Sequence, residues 1–186
     1  AVVISAQAGR MVGVPAKETL ATRWWDSLRF RQPWLQLNLL LALLSALLIG
    51  FFQNVISELV VLAMFFPVVA AQARNSGAQT MAITLRGMAT GNWSERLFAR
   101  VLVKEVALGL LNGLMVGVVG GGVIALVAPG TTTDAWQLGG VMFVSMGVSC
   151  GLSGLFGVLI PLGLRWFGAD PALAASILLT TVATLL

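Results

Sequence analysis

Long apolar runs alternate with short polar joints along most of this chain. The runs lie at residues 35–52, 58–73, 101–127, 136–164 and 171–186. A bilayer's hydrocarbon core is about 30 Å thick, and a helix needs about 20 apolar residues to cross it. The pattern therefore predicts an all-α integral membrane protein with five transmembrane helices per chain. The last run is short for a span, so we expect its helix to be truncated here.

A polar and basic arm, residues 1–32, precedes the transmembrane domain, residues 33–186. Pro15 suits the first turn of a helix, which predicts an amphipathic helix over residues 16–31. Trp24 and Leu28 would share its apolar side. Such a helix can lie in the membrane interface or under the bundle, or it can be a linker that happens to sit near the headgroups.

Glycines recur every fourth residue in the third apolar run. Residues four apart lie on nearly one helix face, and small residues at that spacing let membrane helices approach closely. The pattern predicts a helix-packing face. Its members are Gly109, Gly113, Gly117 and Gly121.

The stretch from Pro67 to Gly91 interrupts the apolar pattern with small and amide side chains. One interpretation is backbone held close to a solute path. The other is a polar loop joining two membrane helices. Within the stretch, residues 81–89 are too short for a span and are predicted to form a half-helix at the membrane face.

Composition agrees with a membrane protein and narrows its chemistry. The chain is 58% hydrophobic and 10% charged, whereas soluble domains have about 25% charged residues. It has no histidine and a single cysteine, Cys150, so the commonest general base and metal ligand is missing. We therefore expect no enzyme activity and no cofactor.

The basic residues indicate the orientation in the membrane. They lie in the arm, between the second and third runs, and between the fourth and fifth, while residues 53–57 and 128–135 contain none. By the positive-inside rule the basic side is cytoplasmic, which predicts a multi-pass inner-membrane protein with a cytoplasmic N-terminus. The net charge of +4 thus needs no nucleic acid partner.

Neutral oxygen atoms are the candidate ion contacts. Magnesium gives up its water reluctantly, so amides and hydroxyls can hold the hydrated ion through its waters. Alternatively, the hydroxyls of the last run simply bond their own helix backbone. No direct metal site is certain. The candidate path residues are Asn75, Ser76, Gly77, Gln79 and Thr80, with Ser176, Thr180, Thr181 and Thr184 in the last run.

Several motifs in this order resemble the membrane domain of the MgtE-type magnesium channel and transporter family. They are RQPWLQLNLL, PVVAAQARNSGAQ followed by LRGMATG, VLVKEVALGLLNGL, and GADPALA followed by TT. The resemblance implies a homodimer in the lipid bilayer with a Mg²⁺ path on the dimer axis, lined by the second and fifth spans. It also implies a plug-like helix in the arm and cytosolic regulatory domains upstream.

The pattern that the resemblance implies is broken at several positions, among them Gln53 in the first outer loop, where the family tends to have Glu. Ala73 and Arg74 replace two glycines before Asn75, and Thr184 stands where the family has a pore aspartate. The sequence thus predicts divalent cation transport, most simply of Mg²⁺. The alternatives are a divergent transporter with another selectivity or a separate regulator, and a membrane scaffold without transport.

Overall fold

The computed structural model describes residues 14–15, 17–58, 60–91, 93–127, 135–168 and 175–186. All regular secondary structure in these residues is helical, as predicted. Three of these helices are long and apolar enough to cross a membrane, over Trp24–Gly50, Arg96–Val127 and Ala135–Trp166. The structure therefore supports three of the five predicted spans, and the other two remain predictions. The helices are α1 (Trp24–Gly50), α2 (Gln53–Glu58), α3 (Val60–Ala89), α4 (Glu95–Val127), α5 (Ala135–Trp166) and α6 (Ala175–Leu185).

The arm is not a helix separate from the first span, which corrects the sequence prediction. Residues 17–23 form turns, and α1 then runs without a break from Trp24 through Pro33 to Gly50. Proline lacks the N–H that a helix interior uses, so the sequence favours Pro33 at the start of a helix. In the structure it lies inside α1, so the second half of the expected amphipathic helix forms the first turns of the span. Residues 1–13 lie outside the described part.

Two contacts hold the turns of the arm against α1. The Arg31 guanidinium donates hydrogen bonds to the Glu18 carboxylate, whose side chain is almost fully covered. The Lys17 ammonium lies 4.4 Å from the centre of the Phe30 ring. The hydrogen bond from Arg31 lowers the pKa of the Glu18 carboxyl below its ordinary value of 4.5. The arm therefore folds back onto the start of α1.

The central polar stretch is neither a loop nor a half-helix. It lies within α3, which is continuous from Val60 to Ala89 and includes Pro67. Asparagine, serine and glycine are weak helix formers, which explains the sequence interpretation. Tertiary packing outweighs propensity here, because Ala73, Gly77 and Thr80 are buried against neighbouring helices.

Backbone-to-backbone contact joins α4 and α5 along the predicted glycine face. An added Cβ would lie 2.5 Å from the Cys150 carbonyl oxygen at Gly109 and 2.4 Å from the Met146 oxygen at Gly113. Gly117 and Gly121 meet α5 in the same way, at 2.9 and 2.6 Å from a carbonyl oxygen. Such close approach gains van der Waals contact, which drives helix association in lipid.

The last helix, α6, packs against α3 and lies beside α1. At one end, Ala175 and Leu179 form a buried cluster with Met81 of α3. At the other end, Thr184 shares a cavity with Phe65 of α3. The beginning of α6 thus contacts the later part of α3, and the end of α6 contacts the earlier part. The two helices are therefore antiparallel. Residues 169–174, which contain the predicted turn before α6, lie outside the described part.

Candidate ion path

Helix α3 carries a row of amides on its exposed face. Asn75 and Gln79 are exposed, and Gln72 before them is half-buried. Spacings of three and four residues place all three on one side of the helix. We call Gln72, Asn75 and Gln79 the amide stripe. Arg86, also exposed, follows Gln79 by seven residues and ends this side of α3.

Arg74 lies off the amide stripe. Consecutive helix residues are about 100° apart, so its Cα is rotated by that angle from the Cα of Asn75. The side chain is exposed. A fixed positive charge directly on the stripe would oppose a divalent ion, and this rotation moves the charge to the flank.

The opposite face of α3 is buried against α5 and α4. The Ser76 hydroxyl donates to the Cys150 carbonyl oxygen over 3.3 Å. A Cβ added at Gly77 would lie 2.4 Å from the Ser153 hydroxyl oxygen. Thr80 is 4% exposed. Gly77 and Thr80 therefore sit inside the protomer, on the side of α3 away from Asn75, and the half-buried Ser76 lies at the flank between that side and the stripe.

A buried carboxylate from α4 meets this face. Glu105 is 3% exposed, and its Oε2 accepts a hydrogen bond from the Thr80 hydroxyl over 3.0 Å. Its Oε1 lies 3.1 Å from the Lys104 ammonium. A buried charge is costly unless it is paired and hydrogen-bonded. Glu105 has Lys104 as its ion-pair partner and Thr80 as its hydrogen-bond donor.

The hydroxyls of α6 bond their own helix, as the alternative interpretation expected. Thr180, Thr181 and Thr184 donate to the carbonyl oxygens four residues earlier, over 2.8, 3.1 and 2.9 Å. A hydroxyl that donates one hydrogen bond keeps its lone pairs for accepting others. These oxygens can still accept hydrogen bonds from the water shell of a cation. Ser176, one turn before Thr180, is half-buried.

Thr184 lines a cavity between α3, α5 and α6. The cavity has a volume of about 200 Å³ and is mostly apolar, with Phe65 and Phe66 on one side. Ser145 and Ser149 of α5 add the other hydroxyls, and Ser149 donates to the carbonyl oxygen of Leu186. None of the amide stripe residues lines this cavity. The amide stripe and the cavity at Thr184 thus lie at different places along α3.

Comparison with known proteins identifies the family. The sequence model of MgtE, described as a divalent cation transporter, matches residues 66–185. The chain belongs to the MgtE family. The matched segment runs from the second turn of α3 to the end of α6, and so includes every candidate path residue. Membership of this family and the three long apolar helices together show that the protein is an integral membrane protein.

Three magnesium transporters named MgtE are similar to this MgtE-family chain. It is 30% identical to that of Enterococcus faecalis over 83% of the chain, and 29% identical to that of Bacillus subtilis over 88%. The Thermus thermophilus protein is 28% identical over 82% of the chain. These matches span only 33%, 35% and 32% of the relatives. The chain thus covers about a third of the length of the proteins it matches.

Gln72 and Glu105 were not among the sequence-predicted path residues of this MgtE-family chain. Gln72 would have been found from its spacing to Asn75 and Gln79 if the stretch had been treated as a helix. In the sequence, Glu105 follows the start of the third apolar run by only four residues, which places it near the end of a span. In the structure it lies ten residues after α4 begins at Glu95, or about 15 Å along the helix.

The part of the chain that the structure describes has no cluster of acidic or sulfur ligands on this candidate path. Among the described residues, no three His, Cys, Asp or Glu side chains lie close enough together to hold a metal ion. Neutral oxygens remain as the available contacts on the amide stripe and α6. This donor set suits an ion that keeps its water shell, as Mg²⁺ does.

Proposed function

We propose that this MgtE-family domain passes a divalent cation, Mg²⁺ first, through a water-filled path between two copies of the chain. The amide stripes of the two α3 helices face this path. The α6 helices stand beside α3 and complete it with Thr180 and Thr184. On this proposal α3 and α6 are the second and fifth of five spans, and the N-terminus is cytoplasmic.

The single observation that carries the proposal is the exposed position of Asn75 and Gln79. Both lie within a helix of a membrane protein, on the side that its own bundle leaves uncovered. A polar group without a hydrogen-bond partner in lipid costs several kcal/mol. The amide side chains of the stripe gain hydrogen-bond partners if a second copy of the chain covers the stripe and water fills the space between the two copies.

The chemistry of the stripe fits a hydrated cation. Amide oxygens accept hydrogen bonds from the waters that an ion polarises. Hydrogen bonds with a charged partner are stronger than neutral ones. Two copies double the number of amides around one axis. The stripe therefore replaces part of the second water shell without stripping the first.

Ion flux tests this proposal directly. The chain is reconstituted into lipid vesicles that contain a magnesium-sensitive dye, and external Mg²⁺ is then added. We expect dye-reported entry well above that of protein-free vesicles, with saturation as Mg²⁺ increases. Entry equal to the protein-free control would contradict the proposal and favour the scaffold alternative. Entry of Na⁺ or K⁺ in place of Mg²⁺ and Mn²⁺ would favour the divergent transporter.

Thr184→Asp is expected to raise the apparent affinity for Mg²⁺ several-fold, because it places a carboxylate beside α3 where the family resemblance implies one. Opposite charges attract more strongly where the dielectric constant is low. The measurement is the half-saturating Mg²⁺ concentration in the vesicle assay. Thr184→Asn is the matched control of equal size without charge. Equal half-saturation in both variants would show that Thr184 does not face the ion.

A further inference from the structure

We propose that Glu105 is a positioning residue for the ion path. Its carboxylate holds the Thr80 hydroxyl and thereby fixes the rotation of α3 that presents the amide stripe. The consequence of this inference for transport rests on the proposed function. Its geometric part concerns only how α4 sets the orientation of α3.

Thr80 provides the well-aligned hydrogen bond to this carboxylate. The Thr80 hydroxyl donates to Glu105 Oε2 over 3.0 Å, with both residues almost fully buried. The Lys104 ammonium reaches Oε1 at 3.1 Å, but without hydrogen-bond alignment, and its side chain is 59% exposed. Lys104 is therefore a loose ion-pair partner, and the directional contact comes from α3.

The contact sits where three helices meet. A Cβ at Gly157 of α5 would lie 2.6 Å from the Gly77 carbonyl oxygen and 2.9 Å from Thr80 Cβ. A Cβ at Gly154 would lie 2.8 Å from the Glu105 carbonyl oxygen. Thus α5 holds the backbones of α3 and α4 close together, and the Glu105–Thr80 bond joins α3 and α4 at the same level.

A bond at this point sets the direction of the stripe. Gln79 precedes Thr80 by one residue and is therefore about 100° around α3. While Thr80 is held to α4, Gln79 stays on the exposed face. A buried carboxylate that loses its donor is strongly destabilised, so the native rotation of α3 is favoured over rotations that break the bond.

Four substitutions separate the hydrogen bond from the charge and from the side-chain volume. Glu105→Leu removes the acceptor at similar size, whereas Glu105→Gln keeps an acceptor oxygen and removes the charge. Thr80→Val removes the donor at equal size, whereas Thr80→Ser keeps it. Each pair offers a matched conservative control for the disruptive change.

The reactivity of a cysteine placed in the amide stripe measures whether α3 keeps its native rotation. Gln79→Cys is labelled in vesicles with a water-soluble thiol reagent, and the rate is compared among the four backgrounds. Cys150 is 3% exposed, so the chain without Gln79→Cys gives the background rate. We expect labelling to fall about tenfold with Glu105→Leu and with Thr80→Val, as the loss of one charge-assisted hydrogen bond allows.

The conservative and double variants complete the test. Glu105→Gln and Thr80→Ser should label within about twofold of the unsubstituted chain. Glu105→Leu combined with Thr80→Val should label no more slowly than either alone, because both remove one contact. Unchanged labelling in Glu105→Leu, additive effects in the double variant, or failure of Glu105→Gln to rescue would each overturn the inference.

Transport assays separate this inference from the proposed function. If labelling behaves as expected but the chain with Gln79 intact passes no Mg²⁺, the function is wrong while the role of Glu105 stands. If Mg²⁺ entry is normal and labelling ignores Glu105 and Thr80, the function stands while the role of Glu105 is wrong. A Gln79→Cys that is unreactive in the unsubstituted background contradicts both.

Discussion

Gly113→Ala is expected to lower the free energy of unfolding by about 1–3 kcal/mol, the usual cost of an overpacked site. The added Cβ would lie 2.4 Å from the Met146 carbonyl oxygen and 2.9 Å from Gly147 Cα. Both atoms belong to the backbone of α5, so no side-chain rotation relieves the clash. The helices α4 and α5 must move apart, which also weakens the contacts at Gly109 and Gly117. Unfolding of the purified chain in mixed detergent micelles measures the change.

Gly122→Ala is the matched control in the same helix. Nothing lies within 4 Å of a Cβ added at Gly122, so only the difference in helix propensity remains. Alanine is favoured over glycine in a helix interior by about 1 kcal/mol. We expect equal or slightly higher stability for this variant. Equal unfolding curves for Gly113→Ala and Gly122→Ala would contradict the close packing of α4 on α5.

Replacing the two exposed amides should nearly abolish transport. Asn75→Leu and Gln79→Leu are each expected to lower the initial rate of Mg²⁺ entry about tenfold. Each removes an acceptor for water bound to the ion, and a hydrogen bond to a charged group contributes about 1.5–3 kcal/mol. The double variant should fall further, because the two amides act on the same hydrated ion. Dye-reported entry into vesicles at low Mg²⁺ gives the rates.

Ile83→Leu is the control for these variants. Ile83 is 51% exposed and follows Gln79 by four residues on the same side of α3. The substitution changes the shape of that face without removing a polar group. We expect transport close to that of the unsubstituted chain. Normal Mg²⁺ entry in the Asn75→Leu, Gln79→Leu double variant would show that the stripe does not line the path.

The two faces of α3 could be predicted from the sequence only in part. The residue types in the central stretch indicated a polar path, and Asn75 and Gln79 were named as candidates. A loop has no helical period, so the sequence does not separate these amides from Gly77 and Thr80 unless the stretch is known to be a helix. Only a continuous α3 gives the residues a helical period, which places the amides on one face and the small residues on the other.

The role of Glu105 depends on a contact between distant segments. Its motif, VLVKEVALGLLNGL, carries part of the family resemblance, but no local pattern indicates that the carboxylate is buried. Thr80 precedes it by 25 residues, and the glycines that bring α3, α4 and α5 together lie farther along, on α5. A side chain's partners across helices follow from packing, which local patterns do not specify.

The sequence by itself determined the class and the glycine spacing of this protein. Apolar runs and scarce charges suffice for the class, because lipid requires helices with satisfied backbones. A four-residue glycine spacing suffices to place those residues on one face, because the helical period is fixed. The tertiary structure alone decided the length of α1 and α3, the two faces of α3, and the burial of Glu105. Those features arise where packing energy exceeds local propensity, at Pro33, at Gly77, and at the contact between Thr80 and α4.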